Sequence, residues 1–213
     1  MKGFVQGLYQ LCEWIMRLTL LQIYWFLFSL LGGVILGIFP STVAMFEINR
    51  RWIKGELDLP TFKYFWFAFK QQFGRANILG YLLSLIGFII IIDFHIFLGF
   101  DSVLFMFFTS MLIVITLLYI LILIYIFPIF VTYKVRIHRS IAFACLIGIY
   151  KMKSTILIIV VSFLLCLVFS TFPPVFFFLG ISTSSLILMW ISRSTLLDIK
   201  ESFSTKNSSV EKV

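Results

Sequence analysis

Few residues in this chain could do chemistry, and they fall in three places. The stretch "IIDFHIFLGFD", 91–101, carries Asp93, His95 and Asp101. Such a cluster could bind a cation, a proton or a sugar hydroxyl. Positions i and i+2 do not share a helix face, however, and two ligands make no metal site. The simpler reading is a polar interfacial loop. Glu47 stands one helical turn before Arg50 and Arg51. An ionisable group at membrane depth is a functional candidate, yet the simpler account is an i,i+3 or i,i+4 pair that shields the arginines. Glu13 and Arg17 repeat that spacing near the start of the chain.

Nothing else has a catalytic pattern. There is no P-loop, no HExxH and no nucleophile elbow. His95 and His138 are expected on opposite membrane faces. Cys12, Cys145 and Cys166 are far apart, odd in number and without a CxxC, so they read as small hydrophobes. A sugar-stacking platform needs an aqueous face beside a ring. Of the 27 phenylalanines only Phe97 and Phe100 are placed for one. Sequence analysis therefore expects no enzyme, no metal and no cofactor.

The elements that position these residues follow from composition. The chain has 213 residues, of which 62% are hydrophobic and 12% charged. Its mean hydropathy is +1.10. Soluble domains run about 45–50% apolar and about 25% charged, so the solvent of this chain must be lipid. The net charge of +8 is explained by basic residues at the ends of apolar runs. Anionic head groups are a sufficient partner for them, and no nucleic-acid motif is present.

Four stretches lack Asp, Glu, Lys and Arg: 18–46, 76–92, 102–133 and 154–192. A spanning helix needs roughly 20 apolar residues. The reading is all-α, a polytopic transmembrane helix bundle of five spans, at about 18–48, 76–98, 103–133, 154–172 and 175–197. An interfacial helix over 1–17 precedes them, the membrane domain runs 18–198, and 199–213 is read as a disordered cytoplasmic tail. Pro40, Pro128, Pro173 and Pro174 are read as kinks or breaks. The competing reading has six spans. There Gly32-Gly33 forms a tight turn and separates 12–31 from 34–53.

Residues 49–75 and 133–153 are strongly basic, whereas 93–103 carries acids and no base. The positive-inside rule then puts the two basic loops and the C-terminus in the cytoplasm. With five spans the N-terminus is outside. In "TFKYFWFAFKQQFG", 61–74, Phe62, Phe65, Trp66, Phe69 and Phe73 make one apolar face with Lys63, Lys70 and Gln71 largely opposite. That predicts an interfacial amphipathic helix with its rings in the acyl boundary. A second interfacial helix is expected over 139–150. Ile-Phe-Pro occurs at 38–40 and again at 126–128, each time followed by arginines. The order of long kinked helix, basic elbow and span thus occurs twice, and membrane physics alone could impose it.

The stretches "LQIYWFLFSLLGGVILGIFPSTVAMFEINRRWIKGE", 21–56, and "FKYFWFAFKQQFGRANILG", 62–80, carry a resemblance. A Trp-rich apolar helix leads to a Gly/Pro-rich turn, an aromatic, a basic doublet and Gly-Glu. Asp93 follows the next span, and "YIFPIFVTY", 125–133, and "FPP", 172–174, match more loosely. In this the chain resembles the YesL-like family, bacterial membrane proteins classed as a domain of unknown function. The turn here reads Phe-Pro-Ser-Thr-Val-Ala, where the family often has Pro-Ala-Thr-Ala-Ala, and the spacing is kept.

The resemblance implies an accessory role in sugar uptake, because such proteins are often encoded beside carbohydrate ABC importers. The expected partners are the bilayer and an importer permease or ATPase. Phe62, Phe65, Trp66, Phe69, Arg50 and Arg51 are the candidate partner-binding residues, and self-association is left open. A stand-alone small transporter is the first alternative. A membrane anchor for a sensor kinase or cell-envelope enzyme is the second. The expected location is the plasma membrane.

Overall fold

A computed structural model describes the backbone of residues 2–99, 103–133 and 137–210, and the side chains of 5–99, 104–133 and 137–193. The described residues form seven helices and no strand. They are α1 (Lys2–Leu31), α2 (Ile38–Ile53), α3 (Thr61–Phe97), α4 (Val103–Tyr133), α5 (Ile137–Tyr150), α6 (Met152–Thr171) and α7 (Pro173–Val210). Five stretches are long and apolar enough to cross a bilayer: Val5–Leu31, Thr61–Phe97, Leu104–Tyr133, Met152–Thr171 and Pro173–Arg193. This is the architecture of a multi-pass membrane protein.

The single kinked helix expected over 18–48 does not form. The chain reverses at 32–37, where the competing reading put its turn. The Val34 N–H bonds to the Ser29 carbonyl at 2.8 Å and the Gly33 N–H to the Leu30 carbonyl at 2.9 Å. Gly33 sits at φ +73°. That is a Schellman stop, in which a glycine takes the left-handed position. Val34 follows at φ +61°, a strained conformation for a β-branched residue. Pro40 then lies in the first turn of α2, where its missing N–H would be unpaired in any case. It starts a helix here and does not kink one. A Cβ at Gly37 would collide with the backbone of Ser29, so the two helices meet through bare backbone.

α1 and α2 run antiparallel. The Trp25 indole N–H donates to Thr42 Oγ1 at 3.1 Å, and the Trp14 and Trp52 rings meet at 6.1 Å. Arg17 donates to the Leu57 carbonyl, and Arg193 of α7 to the Ile53 carbonyl. Trp14 and Arg17 of α1, the end of α2 and Arg193 therefore share one end of the bundle, the basic end. The expectation that the N-terminus lies opposite the C-terminal segment is corrected by this hairpin.

α2 is the central element. Nine of its 16 residues are buried. Val43 and Phe46 face a core built with α3, α4, α5, α6 and α7. Ala44, Met45, Ile48 and Trp52 face a second core built with α1 and α3. A second Schellman stop ends the helix: Gly55 sits at φ +93°, and the Glu56 N–H bonds to the Arg51 carbonyl at 3.1 Å.

The interfacial helix expected over 61–74 is the first part of α3, which continues without a break to Phe97. No glycine turn or proline separates the amphipathic stretch from the apolar one. Pro128 lies inside α4 and is buried. α5 folds back along α4. Ser140, Ala144 and Ile147 share its buried face, and Gly148 packs on Leu121. The helix expected at the interface over 139–150 is thus packed on a neighbour. Pro173 and Pro174 open α7 after a break at Phe172. The backbone of α7 stays helical to Val210. The expected tail from 199 holds no Gly or Pro to stop a helix before that point.

The helices differ in reach. The Tyr81 hydroxyl donates to the Ile35 carbonyl at 3.0 Å, so the α1–α2 turn lies beside the middle of α3. Phe97 is sixteen residues further along, about 24 Å at 1.5 Å per residue. Over that length α3 pairs with the first half of α4, with Phe97 against Phe105 and Phe108 and Gly87 against Tyr119.

Candidate functional site

The charges of the basic end are assembled by the close of α2. Asn49, Arg50, Arg51 and Trp52 occupy its last full turn, so the side chains leave in all directions. Glu47, one turn earlier, has Oε1 at 2.6 Å from Arg50 Nη2 and 3.6 Å from Arg51 Nε. Arg51 continues to Glu56 Oε2 at 3.1 Å. Its guanidinium stands 4.4 Å from the Tyr64 ring centroid, a cation–π contact. Glu47 and Arg50 are only 15% and 16% exposed in their side chains. The arginines thus enter the bundle already neutralised. Glu13 and Arg17 form the matching pair on α1.

A cleft between α2, α3 and α4 opens at this network, lined by Glu47, Arg51, Tyr64, Gln71, Gln72 and Phe130 among others. It holds about 50 Å³ of free space. Ligand pockets run from about 300 Å³ upward, so this is room for water and not for a sugar.

The aromatic face of α3 divides in two. Phe65 and Phe69 are buried against Phe28 of α1, with ring centroids at 4.9 and 5.4 Å. They are packed inside the protein, not in the acyl boundary that sequence analysis assigns them. Phe62 and Trp66 also touch Phe28, at 5.7 and 5.6 Å, but remain 53% and 45% exposed. Phe67, Lys63 and Lys70 are exposed beside them. The exposed half is therefore held on a rigid base.

The other sequence candidates are not brought together. Asp93 is half-buried and His95 exposed in the last turns of α3, and among the described residues neither forms an ion pair. Asp101 lies outside the described residues. Among the described residues no three His, Cys, Asp or Glu side chains cluster as a metal site would require.

Sequence analysis missed a polar seam between α1, α2 and α7. The Ser182 N–H donates to Gln22 Oε1 at 2.9 Å. Ser185 Oγ donates to the Ser182 carbonyl at 2.9 Å, and Asn49 Nδ2 to Ser185 Oγ at 2.7 Å. All four side chains are buried. Asn49 Oδ1, and Ser41 Oγ two turns earlier on α2, have no partner among the described residues. The signal was present in "STSS", 182–185, four hydroxyls in a row inside an apolar run.

Comparisons with known proteins agree with this architecture only at the level of family. Residues 18–94 match the family described as a protein of unknown function, DUF624. The chain is similar to three uncharacterized proteins of Bacillus subtilis (strain 168). It is 31% identical to YteU over 93% of this chain and 89% of that protein. It is 33% identical to YesL over 87% and 88%, and 34% identical to YesV over 87% and 89%. No solved structure matches. With these relatives aligned over nearly their whole length, and with the helical hairpin, basic doublet and Gly-Glu stop inside the matched region, the chain belongs to the YesL-like DUF624 family of membrane proteins.

Proposed function

We propose that this protein is a non-catalytic accessory subunit in the plasma membrane that docks on the permease or ATPase of a carbohydrate ABC importer. The observation that carries the reading is the divided aromatic face of α3. Phe65 and Phe69 anchor the helix, and Phe62, Trp66 and Phe67 stand outside it beside Lys63 and Lys70. Rigid aromatic anchors rimmed by charge are what partner surfaces are made of. The identity of the partner rests on the family resemblance and on the absence of an ATPase motif in this sequence.

The test uses the tagged full chain, extracted from native membranes in mild detergent. Trp66→Glu with Phe67→Glu should remove the co-purifying importer subunits while the chain still inserts and stays monodisperse. Unchanged co-purification would refute docking through α3. Phe65 is the wrong residue to change for this purpose, because its loss opens the core.

One observation favours a second reading, a stand-alone carrier. The seam of Gln22, Asn49, Ser182 and Ser185 is the polar track such a carrier would use. Self-association alone in the same extraction, with no other protein at stoichiometric amount, would favour it.

A further inference from the structure

A second cleft opens at the basic end between α1, α2 and α7. It is lined by Trp14, Trp52, Ile53, Leu186, Ile187, Trp190 and Arg193 and holds about 480 Å³. That volume falls inside the range of ligand pockets, about 300–1,000 Å³. Three of the five tryptophans of the chain meet in it.

The chemistry of the walls is divided. Trp52, 3% exposed, and Trp14 form an edge-to-face pair at 6.1 Å and make an apolar wall. Trp190 is 65% exposed at the rim. Ile53, Leu186 and Ile187 complete a surface that suits a hydrocarbon chain. Among the described residues Arg193 is the only charged one that lines the cleft. It gives one N–H to the Ile53 carbonyl, which holds it at the end of α2. A guanidinium carries five N–H donors in a planar fork, so four have no partner among the described residues. Among the described residues no carboxylate pairs with it.

A ligand here must be apolar along one part and anionic at one end. It must also be found at the level where a bundle passes from apolar to basic. Tryptophan and arginine at that level meet the glycerol and phosphate of a lipid. Basic pockets between spanning helices bind anionic head groups. A planar arginine fork suits a phosphate better than a lysine would. Among the described residues the other end of the bundle, with Asp93 and His95, has no such combination. We propose that the cleft between α1, α2 and α7 is a binding site for one anionic phospholipid, with its phosphate on Arg193 and its glycerol and upper acyl chain against Trp14, Trp52 and Trp190. The site is independent of docking through α3.

The purified full chain is placed in phosphatidylcholine vesicles with a minor fraction of phosphatidylglycerol. Either lipid carries brominated acyl chains, which quench nearby tryptophans. Brominated phosphatidylglycerol should quench more than an equal fraction of brominated phosphatidylcholine, with a preference of about fivefold for one arginine at the membrane surface. Arg193→Gln should abolish the preference, and Arg193→Lys should keep part of it. Trp190→Leu, at an exposed rim position, should keep the fold and lower the amplitude of the selective quenching. Equal quenching by the two lipids overturns the proposal. So does a preference that survives Arg193→Gln. Displacement of the brominated lipid by millimolar inorganic phosphate would also overturn it, by assigning the cleft to a soluble anion.

Discussion

At the scale of single residues, Glu47 decides whether α2 can close. Its carboxylate holds Arg50 and Arg51 together at a depth where neither is fully hydrated. Breaking a buried pair by removing one partner costs about 3–5 kcal/mol. These side chains keep between 15% and 28% of their exposure, and Arg51 still has Glu56, so about 2 kcal/mol is the fitting figure. Glu47→Ala should lower the thermal unfolding midpoint in detergent by roughly 4–8 °C, and Glu47→Gln by less, because its amide oxygen still accepts from Arg50. Intrinsic tryptophan fluorescence on heating reads both. The i,i+3 spacing of this pair was legible in the sequence. The Tyr64 ring under Arg51 was not, because no local rule tells which ring of a later helix a guanidinium will cover.

At the scale of elements, the hairpin is the feature to test. Gly37 has no room for a Cβ, since the atom would fall on the Ser29 carbonyl. Gly37→Val should therefore part α1 from α2 and abolish monodisperse expression. Gly74→Ala meets nothing within 4 Å and replaces a poor helix former, so it should be neutral or stabilising by up to about 1 kcal/mol. Size-exclusion chromatography of the two variants separates a packing requirement from a general intolerance of change.

The hairpin also sets the topology. Its antiparallel course puts Trp14 and Arg17 of α1 at the basic end with Arg193, and the positive-inside rule predicts that this end faces the cytoplasm. With Cys12, Cys145 and Cys166 replaced by serine, a cysteine at position 2 should label only after cells are permeabilised. Labelling in intact cells would reverse the orientation. The sequence admits both a hairpin and a single kinked helix at this point, and the parallel with 102–133 favours the kinked helix. It gives Pro40 the mid-helix role that Pro128 has in α4, although the same Ile-Phe-Pro serves one helix as its first turn and the other as an interior residue. What decides between them is Gly33 and Gly37, six and two residues before Phe39 respectively, and their effect depends on how closely two helices approach.

At the scale of the whole molecule, apolar periodicity was a poor guide to the core, because lipid and protein are equally good homes for a phenylalanine. The number of long apolar helices was readable for that reason, but the first was placed at 18–48 where the structure has Val5–Leu31, and the partners of their faces were not readable. Phe65 and Trp66 make the point: they are neighbours in one aromatic stripe, yet Phe65 is buried and Trp66 is half exposed. One further consequence belongs to the membrane around the protein. The α1–α2 turn stops beside Tyr81, while α3 and α4 run on as a pair, with Phe97 against Phe105 and Phe108 and with Ile90 and Leu112 buried beyond Leu83. A bilayer meets a tall side and a short side of the same molecule. Lipids over the short side must bend their tails inward or thin the leaflet, at a cost of fractions of a kcal/mol per Å. Such a slope draws the protein toward thin, curved or fluid patches of membrane, and toward any neighbour whose profile fills the step.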